Sequence, residues 1–476
     1  MNAATPARLQ LRSSDRLPLV SEPSGPSLVL IGTYILLFFS VLSFGAVEEW
    51  SISILEFGLG LLFLAWTARQ TRRSQLQVKS SPLYAPVALF GLVVVAQLVF
   101  GLTAYRFATW ISGIEYLGYA ILIFITVETL SSSSSAESLV WAFTLFGFAL
   151  ALFAVIQDLT SNGKIYWLRT LHDGGAFFGP YVDHDHYAGA MEMLAPIAIV
   201  LSLSSLISSG KRALVAVAGV MMAGSIVLSQ SRAGTAAFLG EMVLLVALLL
   251  GRRRNGRIAA TLGGFCLVVL AFVVWVGTPA LWHHFSELQD WMRLAMIKDG
   301  LQMFWHKPIL GWGLGTFTTV YPQFRTFYTN LFVNAAHNDY LQVLVETGLI
   351  GFAAAAWFIV EVYRAGLRNR DGWNHDWSRA FGLSALVGCT GLLIHSAFDF
   401  NMQIPANACM FYFLCAVTTA TVSVPEGRPR EGRERRRFRA TILQPEFHQK
   451  RFNGEQPRSC VALLEKPRFT GEDPCH

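Results

Sequence analysis

Charged residues are scarce in this chain of 476 residues. They make up 14% of the sequence, whereas hydrophobic residues make up 53%. Ordinary soluble proteins carry roughly 25% charged residues. This composition excludes a chain of soluble domains and indicates a protein that crosses a membrane many times.

Cysteine is also sparse, and its positions exclude two kinds of structure. Four of the six cysteines lie in apolar runs and two lie near the C-terminus: Cys266, Cys389, Cys409, Cys415, Cys460 and Cys475. None of them has the paired spacing of a disulfide framework or of a zinc site.

The chain has a net charge of +6, and its basic residues are concentrated at one end. Of the 37 lysines and arginines, 12 follow Val424. A tail of this kind does not indicate nucleic-acid binding, because anionic lipid headgroups and topology explain it better. We predict that residues 423–476 form a basic, disordered cytoplasmic tail, and that residues 1–27 form a cytoplasmic N-terminal segment before a retained first helix.

The apolar runs predict an all-α, polytopic integral membrane protein. A membrane-spanning helix needs about 20 mostly apolar residues. Residues 28–422 contain twelve such runs, at roughly 28–47, 51–68, 83–102, 107–127, 138–157, 187–207, 212–229, 234–250, 258–277, 339–363, 380–398 and 404–422.

The basic residues predict the orientation of these spans. With the N-terminus inside, the inner loops between spans hold 14 basic residues and the outer segments hold eight. Cytoplasmic loops are enriched in Lys and Arg, so both termini are predicted to be cytoplasmic. Two long outer, periplasmic loops then cover about 158–186 and 278–338.

The second long loop, with the start of the next span, is the stretch most suited to chemistry. Residues 291–351 cannot all lie in lipid, because several charged residues interrupt them: Arg293, Lys298, Asp299, Lys307 and Arg325. The stretch also holds Gly311, Gly313 and Gly315, a pattern that by itself indicates only a turn. It ends at His337, where an apolar run begins.

His337 is the candidate base. Asn334 is the expected N-cap, which would place His337 in the first helical turn. The helix dipole there disfavours imidazolium, so the ring is expected to be neutral and able to accept a proton. Asn338, Gln342 and Glu346 follow at intervals of four and predict a buried polar stripe. The alternative is an interfacial histidine that caps a span.

Two arginines are candidate anion ligands. Arg232 is the only charged residue in a tight outer turn, and a guanidinium can bind phosphate bidentately at a helix N-terminus. Arg293 lies in a predicted amphipathic segment. The alternatives are an Arg232 that reaches the lipid headgroups and an Arg293 on the solvated face of an interfacial helix.

The first long loop contains histidines and aspartates that suggest two interpretations. His172, Asp173 and the run Asp183–Tyr187 could form a metal site. Ligands crowded into one short run converge poorly, however, so we expect no metal there and interpret these residues as the polar lining of a substrate entrance.

Several acidic residues fall in or near the predicted spans: Glu56, Glu115, Glu192, Glu241 and Glu361. A transporter could use them as proton relays. We interpret them as structural hydrogen-bonding groups.

The order of these motifs resembles the O-antigen ligase and polymerase superfamily over roughly 170–405. The segments that carry the resemblance are 231–234 (SRAG), Arg293, 306–315 (HKPILGWGLG), His337-Asn338 with Gly348-Leu349, 179–189 (GPYVDHDHYAG) and 395–401 (HSAFDFN). Asp185 departs from the pattern, because the family more often has asparagine before the histidine.

The resemblance implies metal-independent, cofactor-free glycosyl transfer at the outer face of the bacterial inner membrane. The donor would be a glycan on polyprenyl diphosphate, and the acceptor would be a hydroxyl on another glycan or on lipid A core. Arg232 and Arg293 would bind the diphosphate, and His337 would deprotonate or orient the acceptor. Asn338, His186 and Asp399 are predicted to contact substrate.

Two other classes of function stay open at this point. A multispan solute or anion transporter could use the same arginines, and broken helices would favour it. A structural subunit of an export complex is the second alternative. Neither the sugar, the choice between ligase and polymerase, nor the oligomeric state can be read from the residues.

Overall fold

The computed structural model describes residues 26–72, 78–130, 132–171, 176–250, 289–329 and 332–420. These ranges contain thirteen α-helices and no strand. The helices are α1 (Leu28–Leu42), α2 (Glu49–Arg72), α3 (Tyr84–Val99), α4 (Arg106–Thr129), α5 (Ser133–Leu159), α6 (His184–Leu203), α7 (Ser209–Leu228), α8 (Arg232–Leu250), α9 (Gln289–His306), α10 (Phe317–Val320), α11 (Asp339–Asn369), α12 (Trp377–His395) and α13 (Pro405–Thr419).

Eight of the described helices are long and apolar enough to cross a membrane: α2, α4, α5, α6, α7, α8, α11 and α12. Three shorter apolar helices, α1, α3 and α13, coincide with further predicted spans. The expected all-α architecture is therefore confirmed, whereas the count of twelve stays a prediction. The predicted span at 258–277 and the tail at 423–476 lie outside the described residues.

Helix α6 is the central helix of the described bundle. Of its most apolar stretch, 89% is buried within the protein. Small residues let its neighbours approach closely, as is common in membrane bundles. A Cβ on Gly388 of α12 would stand 2.9 Å from Met193 Cα, and one on Gly234 of α8 would stand 2.5 Å from Ala188 Cβ.

A second apolar core forms outside the bundle, between α9 and the start of α11. Met296 and Met303 of α9 are buried there with Tyr321 and Leu341. Leu294 points the other way and is 66% exposed. The predicted amphipathic segment around Arg293 is thus a helix whose buried face packs on α11.

Helix α11 is broken at Gly348, which has φ 65° and ψ −168°. A non-glycine residue rarely adopts such angles. The backbone groups released by the break pair with the loop before α10, because Leu349 N donates to Pro308 O at 2.8 Å and Ile350 N donates to Ile309 O at 3.3 Å. The sequence pattern did not predict this break.

Several helix ends meet at one place. The amide of Asp339, the first residue of α11, donates to Ser396 O, just after α12 ends, at 2.9 Å. Asn407 of α13 donates from Nδ2 to His186 O, near the start of α6, at 2.8 Å. The Gly234 contact with Ala188 adds the start of α8. The ends of these helices bring distant polar residues together.

Candidate functional site

The imidazole of His337 lies against Asp399 and Phe400. His337 Nδ1 is 3.3 Å from Asp399 Oδ1, and the His337 and Phe400 rings meet edge to face with centroids 4.8 Å apart. The His337 side chain is 28% exposed, whereas the Asp399 side chain is 4% exposed. His337 is therefore the accessible member of a pair whose carboxylate is buried.

His186 packs against the same two residues. Its Nε2 is 3.7 Å from Asp399 Oδ2, and its ring centroid lies 4.7 Å from that of Phe400. The separation of 3.7 Å is too long for a direct hydrogen bond. Neither ring nitrogen of His186 has a hydrogen-bond partner within the described ranges, although its side chain is only 3% exposed. Asp399 thus lies between two imidazoles.

The surroundings of Asp399 favour its ionised form. Burial by itself would raise the pKa of this carboxyl. The hydrogen bond to His337 and the nearby imidazoles of His186 and His395 outweigh burial and hold the pKa of Asp399 well below its usual range. At neutral pH the carboxylate is therefore a hydrogen-bond acceptor, and His337 Nδ1–H is the donor.

The cap of α11 is Asn338, so the expectation of an Asn334 cap is wrong. Asn338 Oδ1 accepts from Leu341 N at 2.9 Å, and Asn334 is exposed before the helix begins. His337 consequently lies just outside the helix, with φ 47°, rather than in its first turn. The helix dipole therefore has less influence on the charge of the His337 ring than expected, and the Asp399 carboxylate has more.

Both polar atoms of the Asn338 side chain form hydrogen bonds within the protein. While Oδ1 caps the helix, Nδ2 donates to Ala397 O at 2.9 Å. Met402 N donates to Asp339 Oδ2 at 3.0 Å. These bonds tie the start of α11 to the turn that carries Asp399. The geometry gives Asn338 a positioning role, and its predicted contact with substrate stays a prediction.

The glycine-rich turn fills the break in α11. Gly311, Gly313 and Gly315 all have positive φ, at 70°, 114° and 74°. A Cβ on Gly311 would meet the carbonyl group of Glu346, which accepts from Gly313 N at 2.9 Å. Gly311 is required because the turn backbone lies directly on the helix backbone, and a Cβ on Gly313 or Gly315 would instead meet the side chain of Thr103 or Ser112.

Glu346, the last residue of the predicted polar stripe, contacts this turn. It accepts from Gly315 N at 2.9 Å and from Phe317 N at 3.0 Å. Gln342 and Glu346 are 4% and 3% exposed, whereas Asn338 is half-buried. The stripe is therefore buried at Gln342 and Glu346, and Glu346 holds the glycine-rich turn in place.

Arg232 is the first residue of α8 and is half-buried. The preceding Ser231 accepts from Gly234 N at its Oγ, at 3.0 Å. Gly234 packs on Ala188, two residues after His186. The arginine thus lies at a helix N-terminus beside the start of α6, as the anion-site interpretation requires.

Arg293 is half-buried in the second turn of α9. This helix approaches α11 closely, since a Cβ on Gly300 would stand 2.8 Å from Leu341 Cδ2. Of the predicted site residues, the structure gathers His337, Asn338, His186 and Asp399 into one cluster. Arg232 and Arg293 lie outside this cluster, on α8 and α9. Helix α8 packs on α6, and α9 packs on α11, so each arginine is on a helix next to one that carries part of the cluster.

Three residues of the first long loop could hold a metal ion. Ligand atoms of Asp183, His184 and Asp185 all lie within 4.8 Å of one another. The objection that such neighbours converge poorly is therefore wrong for these three. Asp183 Oδ1 already accepts from Asp185 N at 2.9 Å as the cap of α6. His172 and Asp173 lie outside the described residues.

A buried pair beneath the cluster was only half recognised from the sequence. His395 Nδ1 is 2.8 Å from Glu192 Oε1, and both side chains are 0% exposed. The sequence predicts Glu192 to be a structural hydrogen-bonding group, which fits this contact. His395 enters that prediction only as part of segment 395–401, although a histidine in an apolar run is itself a signal of a buried polar site.

These features define the class of protein: a multi-pass, all-helical membrane protein with a buried Asp–His cluster where several helix ends meet. Residues 217–356 match the family model described as O-Antigen ligase. This match confirms the predicted resemblance to that superfamily over this part of the chain.

The matched region covers part of the site. It contains Arg232, Arg293, His337 and Asn338, whereas His186 and Asp399 lie outside it. No curated protein matches the chain.

Proposed function

We propose that the protein is a membrane glycosyltransferase that polymerises or ligates a polyprenyl-diphosphate-linked glycan. The acceptor is a hydroxyl on another glycan or on lipid A core. The reaction takes place at the outer face of the bacterial inner membrane, with both termini in the cytoplasm. The observation that carries the proposal is the His337–Asp399 pair, whose exposed imidazole lies within the O-antigen ligase domain.

The pair is suited to activate an alcohol. Asp399 accepts the Nδ1–H of His337, which leaves Nε2 as the proton acceptor. As the acceptor oxygen bonds to the anomeric carbon, its proton passes to Nε2, and the bond from that carbon to the diphosphate oxygen breaks. The nearby carboxylate stabilises the imidazolium that forms, as in other Asp–His pairs.

The two arginines are assigned to the leaving group. The diphosphate departs with the electron pair of the broken bond, and guanidinium groups neutralise this charge. Arg232 lies at a helix N-terminus, where amide N–H groups also favour an anion. Arg293 is the second proposed diphosphate ligand, and the proposed mechanism requires no metal ion.

An apolar cavity beside the site supports a lipid-linked donor. Its volume is about 820 Å³, and helices α3, α4, α11 and α13 line it. Asp339, Ser396 and Met402 line it as well, and all three belong to the elements that hold His337 and Asp399. A cavity of this size and polarity suits an isoprenoid chain whose diphosphate lies at the site.

A reconstitution experiment tests the proposal. Purified protein in liposomes is given a polyprenyl-diphosphate-linked oligosaccharide and an acceptor glycan, and the products are separated by size. We expect longer glycan or transferred glycan together with released polyprenyl diphosphate. Glycan that remains entirely on its original lipid, with protein that is folded and inserted, would refute a transferase.

A transporter is the second candidate, because one observation favours it. Helix α11 is broken at Gly348, directly after a run that contains the buried Glu346, and broken helices form binding sites in many transporters. In this protein, the released backbone groups pair with the glycine-rich turn. Flux of a labelled anion into the same liposomes, without any glycan transfer, would favour transport.

A further inference from the structure

A polar layer lies within the bundle, beneath the His337–Asp399 pair. It consists of Glu192 on α6, Glu241 on α8 and His395 on α12, each 0% exposed. His395 Nδ1 donates to Glu192 Oε1 at 2.8 Å. Among the described residues, Glu192 Oε2, His395 Nε2 and both oxygens of Glu241 have no hydrogen-bond partner. No part of the proposed mechanism uses these groups.

The layer joins the three helices that carry the site. Six residues before Glu192, α6 carries His186, and nine residues before Glu241, α8 begins at Arg232. A Cβ on Gly391 of α12 would meet Glu241 Oε2 and stand 3.3 Å from Glu192 Cβ. Glycine at this position lets both carboxyl side chains reach α12 one turn before His395.

His395 also determines where Asp399 lies. It is the last residue of α12, and its carbonyl oxygen accepts from Phe398 N at 2.8 Å and from Asp399 N at 3.1 Å. His395 therefore has two roles. Its carbonyl oxygen holds the turn that presents the Asp399 carboxylate to His337, and its side chain binds Glu192. A displacement of His395 moves Asp399 with it.

Apolar packing would join these helices with a smaller desolvation penalty. A buried ion pair often stabilises a protein less than well-packed apolar residues of the same volume. A hydrogen bond, in contrast, fixes direction as well as distance, and catalytic pairs depend on support of this kind. The buried Glu192–His395 pair is therefore explained if it orients the end of α12, even though it carries a desolvation penalty.

We propose that Glu192 is a positioning residue that acts through His395 to hold the Asp399 carboxylate against His337. The inference rests on the proposed role of the His337–Asp399 pair. It adds a residue on α6, 145 positions away from His337 in the sequence, to the machinery of the site.

The charges around the pair determine how a variant must be chosen. Asp185 from α6, Glu241 from α8 and Asp399 from the following turn lie near the pair. Cys389 of α12 lies near Glu241, and His186 and His337 lie near Asp399. Leucine and glutamine in place of Glu192 remove the same carboxylate charge. A difference between these two variants at His337 therefore reports the hydrogen bond and not the charge.

The test measures the accessible imidazole directly and needs no substrate. Diethyl pyrocarbonate modifies an accessible imidazole nitrogen, and peptide mass spectrometry at a fixed alkaline pH gives the rate at which His337 is modified. By accepting Nδ1–H, the Asp399 carboxylate makes the Nε2 of His337 more nucleophilic. Loss of that contact therefore slows the modification, and Asp399→Asn should lower the rate several-fold.

Two Glu192 variants separate the hydrogen bond from the charge. Glu192→Leu removes the acceptor and should lower the rate of His337 modification, by less than Asp399→Asn does. Glu192→Gln keeps an oxygen acceptor and should stay near the wild-type rate. The matched control is Glu361→Leu, since Glu361 bonds Arg364 near the other end of α11. If Glu192→Leu does not fold, His395 variants replace it. His395→Leu removes the hydrogen-bond donor, and His395→Asn keeps an N–H donor, so the two are compared in the same way.

The outcomes are distinguishable. A lower rate of His337 modification in the leucine variant, with recovery in the glutamine or asparagine variant, supports the proposal. Equal rates within a pair, while Asp399→Asn is slowed, overturn it and leave the proposed function intact. A wild-type rate in Asp399→Asn refutes the His337–Asp399 pair and the positioning role together.

Discussion

The amide of Leu349 donates a hydrogen bond to the carbonyl oxygen of Pro308 at 2.8 Å, across 41 residues of sequence. The bond exists because α11 is broken at the preceding residue, Gly348, and because the loop before α10 supplies the acceptor. Residues 306–315 and Gly348-Leu349 are two of the segments that resemble the O-antigen ligase superfamily. The hydrogen bond joins them into one structural unit.

Gly348→Ala should destabilise this unit. The residue has φ 65°, and a Cβ there would meet the carbonyl oxygen of Ile309. With ψ −168° the residue lies in a region that almost only glycine adopts, where backbone strain alone costs about 1–3 kcal/mol, and the contact with a backbone atom adds to it. We expect a clearly lower midpoint of thermal unfolding in detergent. Gly224→Ala is the matched control, because a Cβ at that helical position would meet nothing within 4 Å, and an equal loss there would contradict the explanation.

His337→Ala should reduce transfer by about 10²–10⁴, the usual contribution of a general base. Asp399→Asn keeps the shape of the side chain but no longer stabilises imidazolium, so a smaller loss is expected. The assay is the liposome reaction, normalised to inserted protein. His375→Ala is the control, because His375 lies in the short 3-10 helix Trp373–His375 that precedes α12. Undiminished transfer by His337→Ala would refute the assignment of the base.

Arg232→Lys should impair the enzyme even though the charge is kept. Lysine cannot bind a diphosphate bidentately, and each lost charge-assisted hydrogen bond costs about 1.5–3 kcal/mol, or roughly ten- to hundredfold in kcat/KM. Arg293→Ala should weaken the donor complex similarly. The exposed Arg368, in the last turn of α11, provides the control Arg368→Lys. The measurement is the rate of transfer as a function of donor concentration. A variant whose curve matches wild type would show that its arginine does not bind the diphosphate.

Chelation should leave the rate of transfer unchanged, because arginine rather than a metal ion neutralises the leaving diphosphate. The measurement is the liposome assay with excess EDTA. The convergence of Asp183, His184 and Asp185 makes this a demanding test. Activity that disappears with EDTA, returns with one divalent cation and is lost in His184→Ala would assign a metal to that cluster instead.

The charge bias of the loops predicts which segments face outward. In a variant without the six native cysteines, single cysteines at the exposed Ser134 and Gly210 should resist an impermeant thiol reagent in intact cells. A cysteine in place of Tyr328, which is 90% exposed, should react. The opposite pattern would invert the predicted orientation and separate the site from any periplasmic acceptor.

The sequence predicted the helices well, because each span is a local apolar run. Eleven of the twelve predicted spans coincide with described helices. The position of His337 before a buried polar stripe was also recognisable, since that stripe has the period of a helix. Both are properties of residues that are close in sequence.

What the sequence could not provide depends on partners far along the chain. The cap of α11 was assigned to Asn334 instead of Asn338, because the choice is made by contacts with Ala397 and Ser396. The break at Gly348 likewise needs the backbone at 308–313. The pairing of His395 with Glu192 spans 203 residues. No local pattern specifies contacts of this kind.

The apolar cavity between α3, α4, α11 and α13 has a practical consequence for purification. A space of about 820 Å³ with an almost wholly apolar lining accommodates the alkyl tail of a detergent as well as an isoprenoid. Detergent monomers would then compete with the lipid-linked donor next to His337. Transfer rates measured in long-chain detergents would then be lower than in a membrane. The apparent KM for the donor would rise with detergent concentration and fall in nanodiscs.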